Sequence, residues 1–148
     1  MLRFSRKTLL AFEAVLDVAF NARPDPVQSK DITRRLGIPQ RYLEQVMQQL
    51  VREGVLKGVR GPRGGYTLAR ERRRITVAEI IRIVDAADAE ADPEPPASRL
   101  GEVVARPLWR AAQERALREL EEVTMQDLCA EAEAKGVRRE NAAPDFTI

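Results

Sequence analysis

Two arginines on a glycine- and proline-rich segment offer the clearest chemistry in this chain, which is recognition of an anion. They belong to the run Arg60-Gly61-Pro62-Arg63-Gly64-Gly65-Tyr66. Proline fixes φ and glycine accepts positive φ, so this composition predicts a tight reversal between extended segments at 56–59 and 65–68. Guanidinium groups on a narrow loop can enter a DNA minor groove or hold phosphates. The alternative is an ordinary hairpin with solvated charges, and only the surrounding elements can separate the two.

The charge of the chain is divided between its halves. Residues 1–75 carry 16 Lys and Arg against 7 Asp and Glu, a net +9, whereas residues 76–148 carry 9 against 16, a net −7. Association with nucleic acid is dominated by phosphate neutralisation, so the basic half suits double-stranded DNA and the acidic half is expected to face elsewhere.

Composition narrows the class of protein. With 148 residues and 44% hydrophobic content, the chain can form one core and an oligomerisation element. An enzyme is not expected, because there is no histidine to act as general base and the glycine run lacks the Lys-Ser/Thr ending of a nucleotide-binding loop. No membrane span or signal segment is evident, which predicts a cytoplasmic protein without a membrane partner.

Three helices are predicted ahead of the loop. Apolar residues at helical spacing indicate a core helix at 5–21, and Ser29 is the expected N-cap of a second helix ending at Leu36. A third runs from about Pro39 or Gln40 to Glu53. Two helices joined by a short turn and followed by a basic hairpin predict a winged helix-turn-helix, whose third helix would read base edges with exposed polar side chains. The candidates for DNA contact are Gln40, Arg41, Tyr42, Glu44, Gln45, Arg60 and Arg63. A merely soluble helix face is the alternative.

The C-terminal half predicts an oligomerisation element. A capping box at Thr76 should start a helix ending near Ala86. The domains expected are a DNA-binding domain at 1–87, an acidic, Pro-rich linker at 88–101, a dimerisation helix with a short following helix at 102–136, and a flexible tail at 137–148. The long helix should begin at Pro107, and its narrow apolar stripe is expected to pair with a second copy. The stripe comprises Trp109, Ala112, Ala116, Leu120 and Val123.

Several of these segments together resemble the Rrf2 family of bacterial transcription regulators. They are Ser5-Arg6-Lys7, Tyr42-Leu43-Glu44-Gln45, Val59 to Tyr66, Ile75 to Val84, Leu108-Trp109 and Leu120 to Leu128. The resemblance implies a mainly α-helical homodimer with a small β-wing, binding a roughly palindromic operator, usually as a repressor at the bacterial nucleoid. It also implies that Arg41, Tyr42, Glu44 and Gln45 lie at the major groove and that Arg60 enters the minor groove. Arg63 replaces the small residue usual at its position and is expected to contact phosphate at most.

The chain departs from the family where its members hold iron. Cluster-binding members carry three cysteines between the helix after the wing and the long helix, and some add a histidine just before the Leu-Trp pair. Here residues 88–107 contain no cysteine and Arg106 stands at the histidine position. Carboxylates do not replace thiolates on iron, so no metal and no cofactor is expected. Cys129 is expected to be a packing residue rather than a redox switch. The signal would then come from a regulatory protein docking on the acidic half or from a small-molecule effector.

Overall fold

The computed structural model describes residues 4–140. Its helices and strands, in chain order, are α1 (Arg6–Asn21), α2 (Ser29–Leu36), α3 (Gln40–Arg52), β1 (Leu56–Val59), β2 (Gly65–Leu68), α4 (Val77–Ala91), α5 (Arg106–Glu121) and α6 (Met125–Ala134). The fold is mainly α-helical with a two-stranded antiparallel wing, as the sequence predicts. No helix in the described part of the chain is long and apolar enough to cross a membrane.

Helix α1 is the centre of the core, as its all-round apolar pattern predicts. Ala11, Ala14, Val15 and Val18 are completely buried, and the helix packs on α2, α3, α4, α6 and the wing. Its start is fixed by Ser5, whose hydroxyl accepts from the backbone N–H of Thr8. On one side of the helix, however, Leu9 is half exposed to solvent.

The start of α2 differs from the sequence prediction by one residue. Ser29 is the first helical residue, and the N-cap position belongs to Gln28, which makes no side-chain capping bond. Its amide instead donates to the carbonyl of Pro62 at 3.3 Å, so a contact with the wing replaces the local cap. Gly37, with φ of 66°, ends the helix and makes the turn into α3, as predicted.

Helix α4 is longer than predicted. Thr76 caps it by accepting from the backbone N–H of Glu79, but the carboxylate of Glu79 pairs with Arg70 and does not complete a capping box. The expectation that the helix ends near Ala86 is wrong, because the alanine-rich stretch that follows keeps helical form up to Ala91. Pro93 disfavours helical geometry at the residue before it and ends the helix there.

The predicted linker at 88–101 is consequently shorter. Only residues 92–98 lack regular structure, and helix resumes at residue 99. A π-helical turn, Gly101–Ala105, leads directly into α5, so the long helix begins upstream of the predicted Pro107. Pro107 has no N–H to donate and its ring would press on the preceding turn, and the wider π-turn accommodates both effects.

The residues after α6 are held against the body of the protein. Thr124 and Asp127 form a capping box at the start of α6. Beyond the helix, the backbone N–H of Glu140 donates to the buried Asn21, and its carboxylate bonds Arg34 and Arg35 at 2.7 and 2.6 Å. The flexible tail predicted at 137–148 therefore does not begin at 137. Residues 141–148 lie outside the described residues.

Candidate nucleic-acid interface

A groove runs between the wing and the first turns of α2 and α3. Its volume is about 560 Å³, and it is lined by Gln28, Ser29, Lys30, Gln40, residues 58–62 and residues 64–66. Lys30, Gln40 and Arg60 are all exposed on it. The groove therefore has a cation on each wall, Lys30 and Arg60, and also the side-chain amide of Gln40 at the start of α3. This arrangement suits a phosphodiester backbone.

The wing is fixed in place by the segment before α2. Val27 and Tyr66 exchange two backbone hydrogen bonds, at 3.0 and 2.8 Å, which add a bridge to the β1–β2 pair. Gly65 permits this approach, since a Cβ there would lie 2.3 Å from the carbonyl oxygen of Val27 and its φ is +152°. Together with the bond from Gln28 to Pro62, this bridge sets the position of the wing tip relative to α3.

The tip itself is a hydrogen-bonded turn. The N–H of Gly64 donates to the carbonyl of Gly61 at 2.9 Å, and Gly61 has φ of 109°. Both Arg60 and Arg63 are exposed at this turn, as the Gly-Pro composition predicts. Neither side chain forms an ion pair within residues 4–140, so both charges are available to an external anion.

The outward face of α3 carries polar side chains at its first turn. Gln40 donates to the carboxylate of Glu44 at 3.1 Å, and Arg41 beside them is exposed. Burial raises the pKa of the half-buried Tyr66, and the nearby charge of Glu44 raises it further. Gln40, Arg41 and Glu44 form one polar surface next to the groove.

The other two predicted contacts on α3, Tyr42 and Gln45, do not line the groove. Tyr42 is half-buried against the core, and its pKa is raised chiefly by burial, with the charge of Lys7 on α1 opposing the shift. Gln45 lines a second cleft between α3 and α4 that also contains Lys7 and Asp88, which are paired at 2.5 Å. The structure thus brings Gln40 together with Arg60 in the groove, and Glu44 is joined to Gln40 by its hydrogen bond. Arg41 and Gln45 are exposed one turn apart on α3, whereas Tyr42 packs on the core.

Sequence reasoning missed two residues of the groove, Gln28 and Lys30. Gln28 precedes α2, and Lys30 lies in the first turn of that helix. Neither residue lies on α3, the helix that the sequence predicts to read DNA. The clue available in the sequence was the position of Lys30 in the first turn of α2, because helix N-termini and nearby cations attract phosphates. The relation of that turn to the wing depends on the Val27–Tyr66 bridge, which pairs residues far apart in the chain.

Large apolar side chains are exposed at the start of α1 and along residues 100–109, and these two groups are here called the apolar face. They are Phe4, Leu9, Leu100, Val103, Val104, Leu108 and Trp109. Leu108 is 70% exposed and Trp109 60% exposed. Phe4 and Leu9 also line an apolar groove of about 460 Å³, together with Phe12, Val77, Ile81 and Leu120. Exposed apolar surface of this extent marks an interaction site.

The predicted dimerisation stripe is divided by the structure. Trp109 and Ala112 are exposed, and Ala116 is half-buried. Leu120 and Val123, however, pack on the core of their own domain, where Leu117 is completely buried. The C-terminal half of the stripe therefore packs within its own chain, because α5 closes the core against α4. The free apolar surface is displaced toward residues 100–109.

Ionic contacts hold the segment between α4 and α5. Arg106 donates to the carbonyl of Pro95 at 2.7 Å and to the carboxylate of Glu94 at 3.4 Å, and Arg110 approaches the same carboxylate at 3.5 Å. Glu94 is thus committed to two guanidiniums. Within residues 4–140, no group of three or more His, Cys, Asp or Glu side chains is placed to hold a metal ion. Cys129 is buried, as expected of a packing residue.

Comparison with known proteins agrees with this architecture. Residues 4–131 match the model of the Rrf2 family, described as "Iron-dependent Transcriptional regulator". The HTH-type transcriptional regulator IscR of Xenorhabdus nematophila is 35% identical over 99% of this chain and 96% of its own length. Two solved structures are similar. T. potens IscR has a TM-score of 0.73 and 31% identity over 93% of each chain, and CymR of B. subtilis has a TM-score of 0.69 and 26% identity over 88% of this chain and 98% of its own.

The iron in the family description does not fit the residues found here. Residues 92–107 offer no thiolate or imidazole, and the carboxylate of Glu94 is engaged by arginines, whose positive charge opposes binding of a cation. The extent of the match to the family is nevertheless decisive for the rest of the chain. It covers the helix-turn-helix, the wing, α4 and α5 in one continuous alignment. The protein belongs to the Rrf2 family of transcriptional regulators.

Proposed function

We propose that the protein is a homodimeric, sequence-specific DNA-binding regulator, usually a repressor in this family, that acts in the bacterial cytoplasm at the nucleoid without an iron–sulfur cluster. The observation that carries the proposal is the groove in which Lys30, Gln40 and Arg60 are exposed together. The basic half of the chain surrounds it.

Two adjacent DNA grooves can be read by this surface. The first turn of α3 would lie in the major groove, where the amide of Gln40 and the guanidinium of Arg41 can form paired hydrogen bonds with adenine and guanine. Glu44 either accepts from cytosine or orients its neighbour, since it already accepts a bond from Gln40. The wing would then place Arg60 at the minor groove and Arg63 over phosphates. Lys30 adds a phosphate contact on the other wall.

A second copy would complete the binding unit. Every copy carries the exposed apolar side chains around Leu108 and Trp109 and the apolar groove that contains Phe12 and Leu120. In the proposed dimer, a twofold axis would cover these surfaces on both copies and present two α3 helices to one duplex. This arrangement supports the dimer and a palindromic operator.

The test is a binding titration against a duplex selected from random sequence by the wild-type protein. Arg60→Ala should weaken specific binding by about 1–3 kcal/mol if the side chain reads a groove. Lys30→Ala should weaken specific and non-specific binding alike, and it should reduce the slope of log K against log salt by about 1 per contacted site, as a phosphate contact would. Arg74→Ala is the matched control, because Arg74 is exposed and does not line the groove.

The outcomes separate the roles of the wing and of the first turn of α2. Selection of no sequence from the random pool would refute sequence-specific binding. An Arg60→Ala variant with wild-type affinity would refute the minor-groove role and leave the wing as a structural hairpin. The alternative regulator, whose DNA binding depends on a docked partner protein, predicts that the purified protein alone selects no tight site and gains one when the partner is added.

A further inference from the structure

Arg72 is a half-buried arginine, two of whose guanidinium nitrogens lack an acceptor. It lies on the short 3-10 helix Arg72–Arg74, between the wing and α4. Its Nε and Nη1 atoms are buried and form no hydrogen bond. A charged group removed from water without a partner costs folding free energy, and most proteins supply a counter-charge. The other ion pairs nearby do not supply it, because they use different arginines.

Those neighbouring pairs account for the local carboxylates. Arg73 bonds Glu71 at 2.5 Å, and Arg70 pairs with Glu79. Farther along, Arg139 and Glu133 lie 3.6 Å apart. Each carboxylate is therefore shared with an arginine other than Arg72.

The arginine borders a cleft with a basic lining. The cleft has a volume of about 430 Å³ and is lined by Val18, Ala19, Ala22, Arg23, Pro24, residues 67–68, residues 70–73 and Gln126. Four of these residues are arginines and one is a glutamate. Small-molecule sites in proteins begin at about 300 Å³, so the space admits a small ligand. The end of α1 and Leu68 supply an apolar wall, and Gln126 supplies a neutral amide from α6.

The guanidiniums around the cleft act on one another. Partial burial lowers the pKa of Arg23, and the positive charges of Arg72 and Arg139 lower it further, while Glu133 opposes the shift. Cations that repel one another at the edge of a cleft favour an anion between them. A water molecule in the same place would provide an acceptor but no charge.

We propose that this cleft binds a small molecule bearing an oxyanion, either a carboxylate or a phosphate, with Arg72 and Arg23 as its charged ligands. In a guanidinium, Nη2 forms a planar donor pair with either Nε or Nη1, which matches two oxygens of such a group. The cleft shares no residue with the groove at the wing tip. The proposal goes beyond DNA binding and does not depend on it.

The position of the cleft gives the bound anion a structural consequence. Thr67 and Leu68 end strand β2, whose other end pairs with Val27, and Gln126 belongs to the C-terminal half. A ligand held there contacts the base of the wing and α6 at the same time. It would therefore join the two charge-separated halves of the chain.

The test is a thermal-shift titration of the full-length protein with inorganic phosphate and, separately, with butyrate, at constant ionic strength maintained with chloride. One of the two anions should raise Tm in a saturable manner. Arg72→Gln should weaken that apparent affinity by about tenfold or more, because hydrogen bonds to a charged group are lost. Arg74→Gln removes the same charge from the same turn, outside the cleft, and should behave as wild type. Whichever anion acts identifies the ligand class.

A further variant distinguishes the anion-binding cleft from the DNA-binding surface. Arg60→Ala should leave the anion response unchanged, so a failure of the DNA-binding proposal would not affect this result. If Arg72→Gln does not fold, Arg23→Gln provides the same comparison. Equal responses in the Arg72→Gln and Arg74→Gln variants would overturn the proposal, as would a wild-type protein that responds to neither anion beyond the chloride baseline.

Discussion

Trp109 provides the most demanding test of the proposed subunit interface. Its side chain is 60% exposed, and a tryptophan can bury about 250 Å². About 150 Å² therefore remains to be covered by a partner, which at about 25 cal/mol per Å² sets an upper bound of about 4 kcal/mol per copy. Interface area converts incompletely into affinity, so truncation to alanine is expected to cost about 2 kcal/mol per copy, as at other central aromatic positions.

Each dimer contains this residue twice, so Trp109→Ala should weaken dimerisation by about 4 kcal/mol, or about a thousandfold in Kd. Sedimentation velocity over a wide range of protein concentration measures the change. Val137→Ala is a suitable control, because Val137 is also largely exposed but lies after α6, away from the apolar face. The expected change in Kd is about a thousandfold. If the Kd of the Trp109→Ala dimer instead stays within about threefold of the wild-type value, the apolar face is not the interface.

Two further predictions concern contacts that stabilise the DNA-binding domain. Gly65→Ala should lower stability by about 1–3 kcal/mol, since the added Cβ meets the carbonyl of Val27 and the residue holds a strained φ, whereas Gly58→Ala meets nothing within 4 Å. Equal melting temperatures for the two variants would contradict this reason for the glycine. Hydrogen bonds from Arg34 and then Arg35 lower the pKa of Glu140. A lowered folded-state pKa means that the contact stabilises the protein above the unfolded pKa of about 4.3 and is lost as the pH falls through the folded value. The stability difference between wild type and Glu140→Gln, measured by urea denaturation, should therefore vanish in acid, and a difference that persists there would refute the ionic contribution.

Much of the DNA-binding domain could be predicted because its signals are local. The Gly-Pro turn, the capping residue Thr76 and the glycine after α2 each act within a few residues of their own position. Helical periodicity likewise identified α1 as the core helix. These features do not depend on which distant segment packs against them.

The errors arose where distant segments decide the outcome. Gln28 caps no helix because its amide reaches Pro62, and Glu140 is held by α2, 105 residues away from Arg35 in the chain. Periodicity identifies the apolar stripe of α5 but not what covers it, so the sequence predicts that the whole stripe pairs with a second copy. Leu117 and Leu120 are covered by their own domain, and Trp109 is not.

The contacts that hold residues 92–98 have a consequence for how the protein matures. Glu94, Pro95, Arg106 and Arg110 all belong to one chain, so every newly synthesised copy carries all the parts that fix this segment. These contacts between α4 and α5 can therefore form as the chain folds, without a contribution from a second chain. These ionic contacts should weaken as the salt concentration rises, because salt screens them.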